Sequence, residues 1–443
     1  MSIAPPKKTR SPLSHSGFRY LWYGTVISDF GNVLHFMVFM WWAGEIAGGY
    51  GAGVVGFVSL AVQAVFGLAA GAFVDRMDRR RILVVSCLLG ALVSLFLSAL
   101  GWYQPLPPLW VLCFATALLR FNFLLYRPAR LAAIPRLVPP EDLARANALM
   151  SAGQTATPLI SQTVGTGLLG VIFELSKRAA YAITFLVDAI TFLLAALFAS
   201  RLPSIKPERI EEKHPFQEVL DGLRYLWSHN GLRIATILEG AFSFFVAPFM
   251  VAYVALANTT FKDGLDIAGF ALRGPALLCF LEAGFFLGFV AGSLYVYKRV
   301  PQRVAIAYGV ATLVGGLLIA PMGMAPTVMS FFLLNLACGL VLPFGSIPLE
   351  TYILQSAPDA YRGRVNAAVG TLAALTAGAG MLLGGALMDA KGVAIGYPWM
   401  GFGMVATALI ALSVRSFRSA TLRSGESDDA ETAQAAEATL REA

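Results

Sequence analysis

Six ionisable side chains stand inside long apolar runs of this chain: Asp29, His35, Arg120, Asp188, Glu239 and Glu282. A charge in such surroundings is costly to desolvate, so by default it marks a working group that binds a proton, an ion or part of a ligand. Asp29, in Ile27-Ser-Asp-Phe-Gly-Asn32, is the first candidate to take up and release a proton; the alternative is an Asp held in a permanent ion pair. Asn32 lies three residues on and shares its helix face, whereas His35, six on, is displaced around the helix. His35 can relay a proton or simply pack as a core imidazole. Arg120 requires a counter-charge, for which Asp29 or Asp188 is expected; protonating Asp29 would break such a pair. Glu239 and Glu282 are further acids able to bind a cation or proton, or to hydrogen-bond between helices. Asp188 is as readily structural as proton-carrying. Asn122, Gln154 and Gln162 add neutral polar groups that can line a cavity.

The elements that hold these residues are helices crossing a bilayer. Hydrophobic residues make up 57% of the chain and charged ones 13%, about half the charged share of a soluble domain. A crossing helix needs about 20 mostly apolar residues. Twelve such stretches are expected, at 19–46, 51–74, 82–101, 109–132, 146–172, 179–200, 232–257, 271–297, 304–321, 327–352, 365–388 and 397–416. This predicts an N-terminal segment 1–18, a six-helix bundle 19–200, a polar central loop 201–230, a second bundle 231–416 and a disordered or frayed tail 417–443. Within the loop, the stretch from Phe216 to Trp227 has amphipathic spacing and is expected along the membrane surface.

Lysine and arginine set the orientation. With the N-terminus inside, 27 of the 33 basic residues fall on the cytoplasmic side, Arg127 and Arg130 among them, and five outside (Lys177, Arg178, Lys262, Arg273 and Lys391). Both termini are therefore expected in the cytoplasm. The net charge of +7 faces anionic lipid and needs no nucleic acid. Cys87, Cys113, Cys279 and Cys338 are scattered through apolar runs and read as packing residues; no histidine pair has metal-ligand spacing. No Walker A, Ser-x-x-Lys, His-Glu-x-x-His or nucleophile-elbow pattern occurs, so neither an enzyme, a cofactor nor a metal is expected.

An internal repeat supports two halves. Pro139, Arg145, Asn147 and Ala148 recur as Pro358, Arg364, Asn366 and Ala367, all offset by 219 residues and each ahead of the fifth helix of its half. Parallel halves of this kind place a substrate site near the midplane between them.

Between the second and third stretches stands Gly71-Ala-Phe-Val-Asp75-Arg76-Met-Asp78-Arg79-Arg80-Arg81-Ile-Leu83. It resembles the major facilitator superfamily signature G-x-L-a-D-r-x-G-r-r-x-x-l, with Asp78 in place of the second Gly and Phe73 in place of Leu. The resemblance extends over nearly the whole chain up to the tail. It implies an all-α polytopic membrane protein with the major facilitator fold, its twelve transmembrane helices in two pseudo-symmetric six-helix bundles. It also implies a gate in which Gly71, Asp75, Arg76, Arg79 and Arg80 face the start of the eleventh helix near Arg364, Asp75 accepting from exposed helix N–H groups. The arginines are expected to pair with carboxylates such as Glu141 or Asp142.

Pro128-Ala-Arg130, Pro135-Arg-Leu-Val138, Leu143-Ala-Arg-Ala-Asn-Ala148, Asp188-Ala-Ile-Thr-Phe192 and Arg362-Gly-Arg364-Val365 look similar to the enterobactin-exporter and macrolide-efflux branch, and in part to lysophospholipid transporters. That branch implies a bacterial inner-membrane exporter of an amphipathic small molecule, such as a siderophore or drug, coupled to protons and monomeric by default. Asn32 departs from the acid the branch often has there, and Arg120-Phe-Asn122 lacks the Gln and Gly of the drug-antiporter helix 4 motif. Thr157, Ser161 and Gln162 replace three glycines of that group's helix 5 motif, and Glycines 378, 380, 384 and 385 recover a small-residue face in helix 11 for close packing. The rival readings are a lipid or lysophospholipid flippase of the same fold and a non-transporting membrane sensor or scaffold.

Overall fold

A computed structural model describes residues 11–104, 106–206, 215–267, 270–418 and 420–422. The first helix, α1 (Ser16–Asp75), runs the length of two crossings and is broken in the middle at Ala47 and Gly48. Gly48 takes φ 62°, a conformation that only glycine adopts without strain, and this lets the chain double back without leaving a loop. The separate stretches expected at 19–46 and 51–74 are thus joined by a kink.

The first half continues with α2 (Arg79–Tyr103), α3 (Leu109–Leu137), α4 (Leu143–Leu175) and α5 (Lys177–Ser200). After the central stretch comes α6 (Pro215–Ser228). The second half comprises α7 (Asn230–Val246) with α8 (Phe249–Asn258), α9 (Pro275–Lys298), α10 (Val304–Ile319), α11 (Val328–Val341) with α12 (Pro343–Gln355), α13 (Asp359–Lys391) and α14 (Val393–Ser413). Pro248 and Pro343 divide the paired helices, because proline lacks the N–H that would continue the ladder. Ten helices or joined pairs among the described residues are long and apolar enough to cross a membrane. The halves of α1 are two crossings in one of these, and α4, 33 residues long, completes twelve. A short hairpin, β1 (Leu265–Ile267) and β2 (Phe270–Leu272), lies between α8 and α9; no strand was expected there.

The repeat is visible in the helices. Pro139 caps the turn before α4 and Pro358 caps α13, and both helices are 33 residues long. Packing divides the molecule along the same line. One buried apolar cluster draws only on the first half (Phe18, Ile134, Ala199), and a second only on the second half (Leu226, Leu349, Phe417). A third joins both halves, through Trp42, Val55, Tyr253, Cys279, Met381 and Tyr397. The bundles therefore share a core at the end that holds the α1 kink. At the end that holds Ser16, Asp75 and Arg364 they have separate cores.

Two sets of contacts involve the polar segments. The chain after Phe417 was expected to be frayed, yet Phe417 is fully buried, and Ala420 and Leu422 pair with the backbone of Val304 and Gln302. The remainder, from 423, lies outside the described residues. In α6, Gly222 sits directly on the Arg364 carbonyl, and Tyr225 stacks on Tyr361 at 4.9 Å, so this helix packs against the start of α13.

Candidate functional site

A cavity of about 570 Å³ lies between the bundles. Nearly all of its wall comes from α1 to α5; the second half contributes Glu282 and Phe286 of α9. Asp29, Asn32, His35, Arg120, Asn122, Gln154, Gln162 and Glu282 all line it. Asp188 lies behind the wall and Glu239 lies elsewhere.

Asp29 pairs with Arg130, Oδ2 to Nη1 at 3.4 Å, and not with Arg120. Helices α1 and α3 run antiparallel, with Thr25 level with Tyr126 (3.4 Å between hydroxyls). Side chains on a helix lean towards its N-terminus, so Arg130 reaches back past Tyr126 towards Asp29, while Arg120 leans away from it. Arg130 thus belongs to the cavity and not to the cytoplasmic flank where its charge alone had placed it. Its side chain is 5% exposed against 21% for Asp29, so solvent and protons reach the carboxylate first. Ser161 of α4 donates to the Phe30 carbonyl (3.3 Å) and ties the adjoining backbone in place.

Asp188 is completely buried. It accepts from Ser94 Oγ at 2.6 Å, and His35 Nδ1 lies 2.8 Å from its Oδ2, off the line of a hydrogen bond. This contact requires α1 to press against α5 at Gly31, where a Cβ would stand 2.7 Å from Asp188 Oδ1. Neither expected counter-charge reaches Arg120: Asp29 is paired with Arg130, and Asp188 lies against Ser94 and His35. Arg120 instead donates to neutral Gln63, lies over the Phe123 ring at 5.4 Å, and leaves Nε without a partner.

Asn122 donates to the Ser86 carbonyl at 2.8 Å, and its Oδ1 is buried without a partner. Gln162 is buried, and Gln154 is exposed to the cavity. Glu282 has a buried Oε2 with no partner. Glu239 lies near Ser243 and Glu350 and is not part of the cavity wall. Glu45, near the α1 kink, bonds Lys177 (2.6 Å) and Tyr181, whose ring stacks on Trp42 at 4.8 Å; Trp41 and Trp42 are core residues.

Among the signature residues, Arg76 is exposed and Arg79 is buried, its backbone N–H donating to the Ile205 carbonyl at 3.1 Å. Arg80 donates to the Ser200 carbonyl at 2.5 Å. Asp78, the departure from the signature, caps α2 and accepts from Arg80 N–H (3.0 Å), Ser204 Oγ (2.6 Å) and Ile205 N–H (3.1 Å). It thereby ties the start of α2 to the chain leaving α5. Burial pushes its carboxyl up, but these hydrogen bonds and the Arg81 charge outweigh that and hold it below the usual carboxylate range. Gly71 and Asp75 are helical, but their side chains, and hence the expected contact of Asp75 with α13, lie outside the described residues. Arg364 lies over the Tyr361 ring at 5.4 Å. Asp142, expected beside the arginines, pairs with His15 at 3.0 Å.

At the opposite end, Asp389 of α13 accepts from the N–H groups of Gly49 (2.7 Å) and Tyr50 (2.6 Å), just past the α1 kink. The small-residue face of α13 brings the helices together there: a Cβ on Gly385 would run into the Gly49 carbonyl. Towards the start of α13, a Cβ on Gly363 or Gly370 would meet nothing within 4 Å. The bundles are thus tied together at the kinked end, where they also share a core.

Sequence reading missed Arg130 and Asp389. The spacing of Arg130, four residues after Tyr126 on one helical face, was the available signal; for Asp389 it was Gly48 and Gly49, a glycine pair in mid-run.

A family model described as Major Facilitator Superfamily matches residues 21–381. Macrolide efflux protein A of Streptococcus pyogenes is 24% identical over 419 residues, covering 92% of this chain and 98% of its own. Multidrug efflux pump Tap of Mycobacterium tuberculosis is 24% identical over 409 residues, covering 89% and 93%. Among solved structures of similar fold are the nucleoside transporter NupG (TM-score 0.71, 12% identity, covering 89% of this chain and 99% of that one) and a POT family transporter in complex with 5-aminolevulinic acid (TM-score 0.67, 16% identity, 89% and 95%).

Proposed function

The chain belongs to the Major Facilitator Superfamily and is a multi-pass membrane transporter, and from that premise we propose that it exports an amphipathic drug-like molecule from the cytoplasm in exchange for protons. The names of the efflux relatives favour a drug over a siderophore. The observation that carries the coupling is the Asp29–Arg130 pair, a carboxylate partly open to the cavity on a buried guanidinium. A proton on Asp29 cancels its charge and dissolves the ion pair, freeing Arg130 to move; loss of the proton restores the pair. Two arrangements of one pair, each favoured by one protonation state, are what exchange requires if they favour different ends of the cavity.

Export as the direction rests on the resemblance to the efflux relatives, and the orientation on the basic residues. With the richer side cytoplasmic, both termini lie inside, in the bacterial inner membrane, and the end of the cavity away from the Asp389 latch faces the cytoplasm, where substrate enters. The kinked end, latched by Asp389, is the external gate. Transport by one chain, with no other ion, suffices for this scheme.

Inverted membrane vesicles with an acidified lumen test it. Adding a macrolide or a tetracycline is expected to discharge the gradient, and Asp29→Asn to slow that discharge by about two orders of magnitude, the usual cost of losing a proton-transfer group. Full discharge by the variant contradicts the assignment of the proton to Asp29. Substrate accumulation in the vesicles with no dependence on the gradient contradicts exchange.

A further inference from the structure

Three cavity charges are left over when the ion pairs are assigned. Arg120 and Arg127 stand seven residues apart on one face of α3, and neither has a carboxylate partner among the described residues. Across the cavity, Glu282 of α9 makes no ion pair or hydrogen bond among those residues. Asp29, by contrast, is paired with Arg130, and Asp188, behind the wall, accepts from Ser94 beside His35. The unmatched charges are sorted by bundle, cationic on the first and anionic on the second. Phe36, Phe123 and Phe286 supply apolar wall between them. In the open cavity Arg127 is exposed to water, whereas Arg120 Nε and Glu282 Oε2 are already buried without a partner. When it closes and water leaves, each needs a partner, because a desolvated charge without one is strongly unfavourable.

Resting on the exporter reading above, we propose that this cavity recognises zwitterionic amphiphiles. The anionic group of the substrate sits against Arg120 and Arg127, its cationic group against Glu282, and its apolar body among the phenylalanines. Such a molecule touches both bundles at once and supplies the two missing counter-charges, so its binding favours closure. A cation alone leaves the arginines unmatched, and an anion alone leaves Glu282 unmatched. The same chemistry is offered by soluble zwitterionic drugs and by zwitterionic lysolipids.

Equilibrium binding to the full chain in nanodiscs, read by fluorescence anisotropy, tests this without any requirement for transport, so failure of proton exchange and failure of charge selection are separate results. The probes are rhodamine B, which carries a carboxylate and a delocalised cation, and its ethyl ester, which shares the body and the cation but has lost the anion. Rhodamine B is expected to bind roughly tenfold more tightly or better, the value of one charge-assisted contact. Arg120→Gln and Arg127→Gln should bring rhodamine B down to the level of the ester and leave the ester unchanged, whereas Arg120→Lys should keep most of the preference. Glu282→Gln should weaken both dyes. Unchanged melting temperature of the variants keeps these effects apart from misfolding. Displacement of rhodamine B by lysophosphatidylethanolamine but not by lysophosphatidylglycerol extends the zwitterion preference to lipids; displacement by neither confines it to soluble molecules. Equal affinity for the two dyes, or no binding of rhodamine B, overturns the proposal. So does equal weakening of both dyes by Arg120→Gln, which would mean that Arg120 and Glu282 serve each other on closure.

Discussion

The two bundles repeat one topology but divide the chemistry unequally. The first supplies Asp29, Arg130, His35, Arg120 and nearly every neutral polar group of the cavity wall, whereas the second presents Glu282 and an apolar surface. Another acid of the second bundle, Glu239, lies near Ser243 and Glu350, off the cavity wall. Duplicated folds need not duplicate sites: once one half carries an ion pair that can open and close, the other half need only move against it. The shared core at the kinked end and the separate cores at the other supply that freedom, because well-packed surfaces that can part at one end are two-state elements.

The contrast can be broken at several places. Arg130→Ala leaves the Asp29 carboxylate in a low-dielectric wall without its partner, and a loss of about 3–5 kcal/mol in stability is expected from breaking such a pair. Adding Asp29→Asn to it should restore most of the melting temperature but not the transport. If the double variant stays as unstable as the single, the two side chains do not form the pair described. A smaller effect belongs to the loop that joins two helices of the first bundle. Asp78→Ala removes the cap of α2 and its ties to Ser204 and Ile205, costing about 1 kcal/mol. Because folding holds the Asp78 carboxyl below its usual range, its contribution is complete above the ordinary Asp range near pH ~4 and is lost as pH falls through the lowered value. The gap between wild type and variant in thermal unfolding should therefore close in strong acid and be constant at neutral pH. The smallest change is expected in the second bundle, where Glu239→Gln should leave efflux within about twofold of wild type, the scatter of substitutions outside a working site. A loss there as large as that of Asp29→Asn would erase the asymmetry.

Much of this was legible in the sequence, for physical reasons that can be named. Twelve apolar runs and a one-sided distribution of basic residues follow from what a bilayer permits, so the architecture showed through without any contact being known. Asp29, Arg120 and Glu282 were conspicuous because charges in apolar runs are rare. Their partners were not, since pairing depends on helix register and on which way a side chain leans. Arg130 was masked by the rule that assigns basic residues to a cytoplasmic flank: beside Arg127 and Pro128 it looked like a helix end, yet α3 continues to Leu137. His35 and Asp188 come from helices far apart in the chain, and their 2.8 Å approach depends on Gly31, whose role emerges only in three dimensions. The grip of Asp389 on Gly49 and Tyr50 was hidden for the same reason, because it is made with backbone N–H groups that sequence does not distinguish.

The central claim is that the exchanged proton resides on Asp29 against Arg130. Infrared difference spectroscopy of the purified protein, titrated through its range of stability, tests this most directly and requires no substrate. A carboxylic-acid carbonyl band should appear as pH falls, disappear in Asp29→Asn, and move to a different midpoint in Arg130→Gln, where the guanidinium no longer favours the carboxylate. A band that titrates unchanged in Asp29→Asn would place the proton on another group and contradict the account.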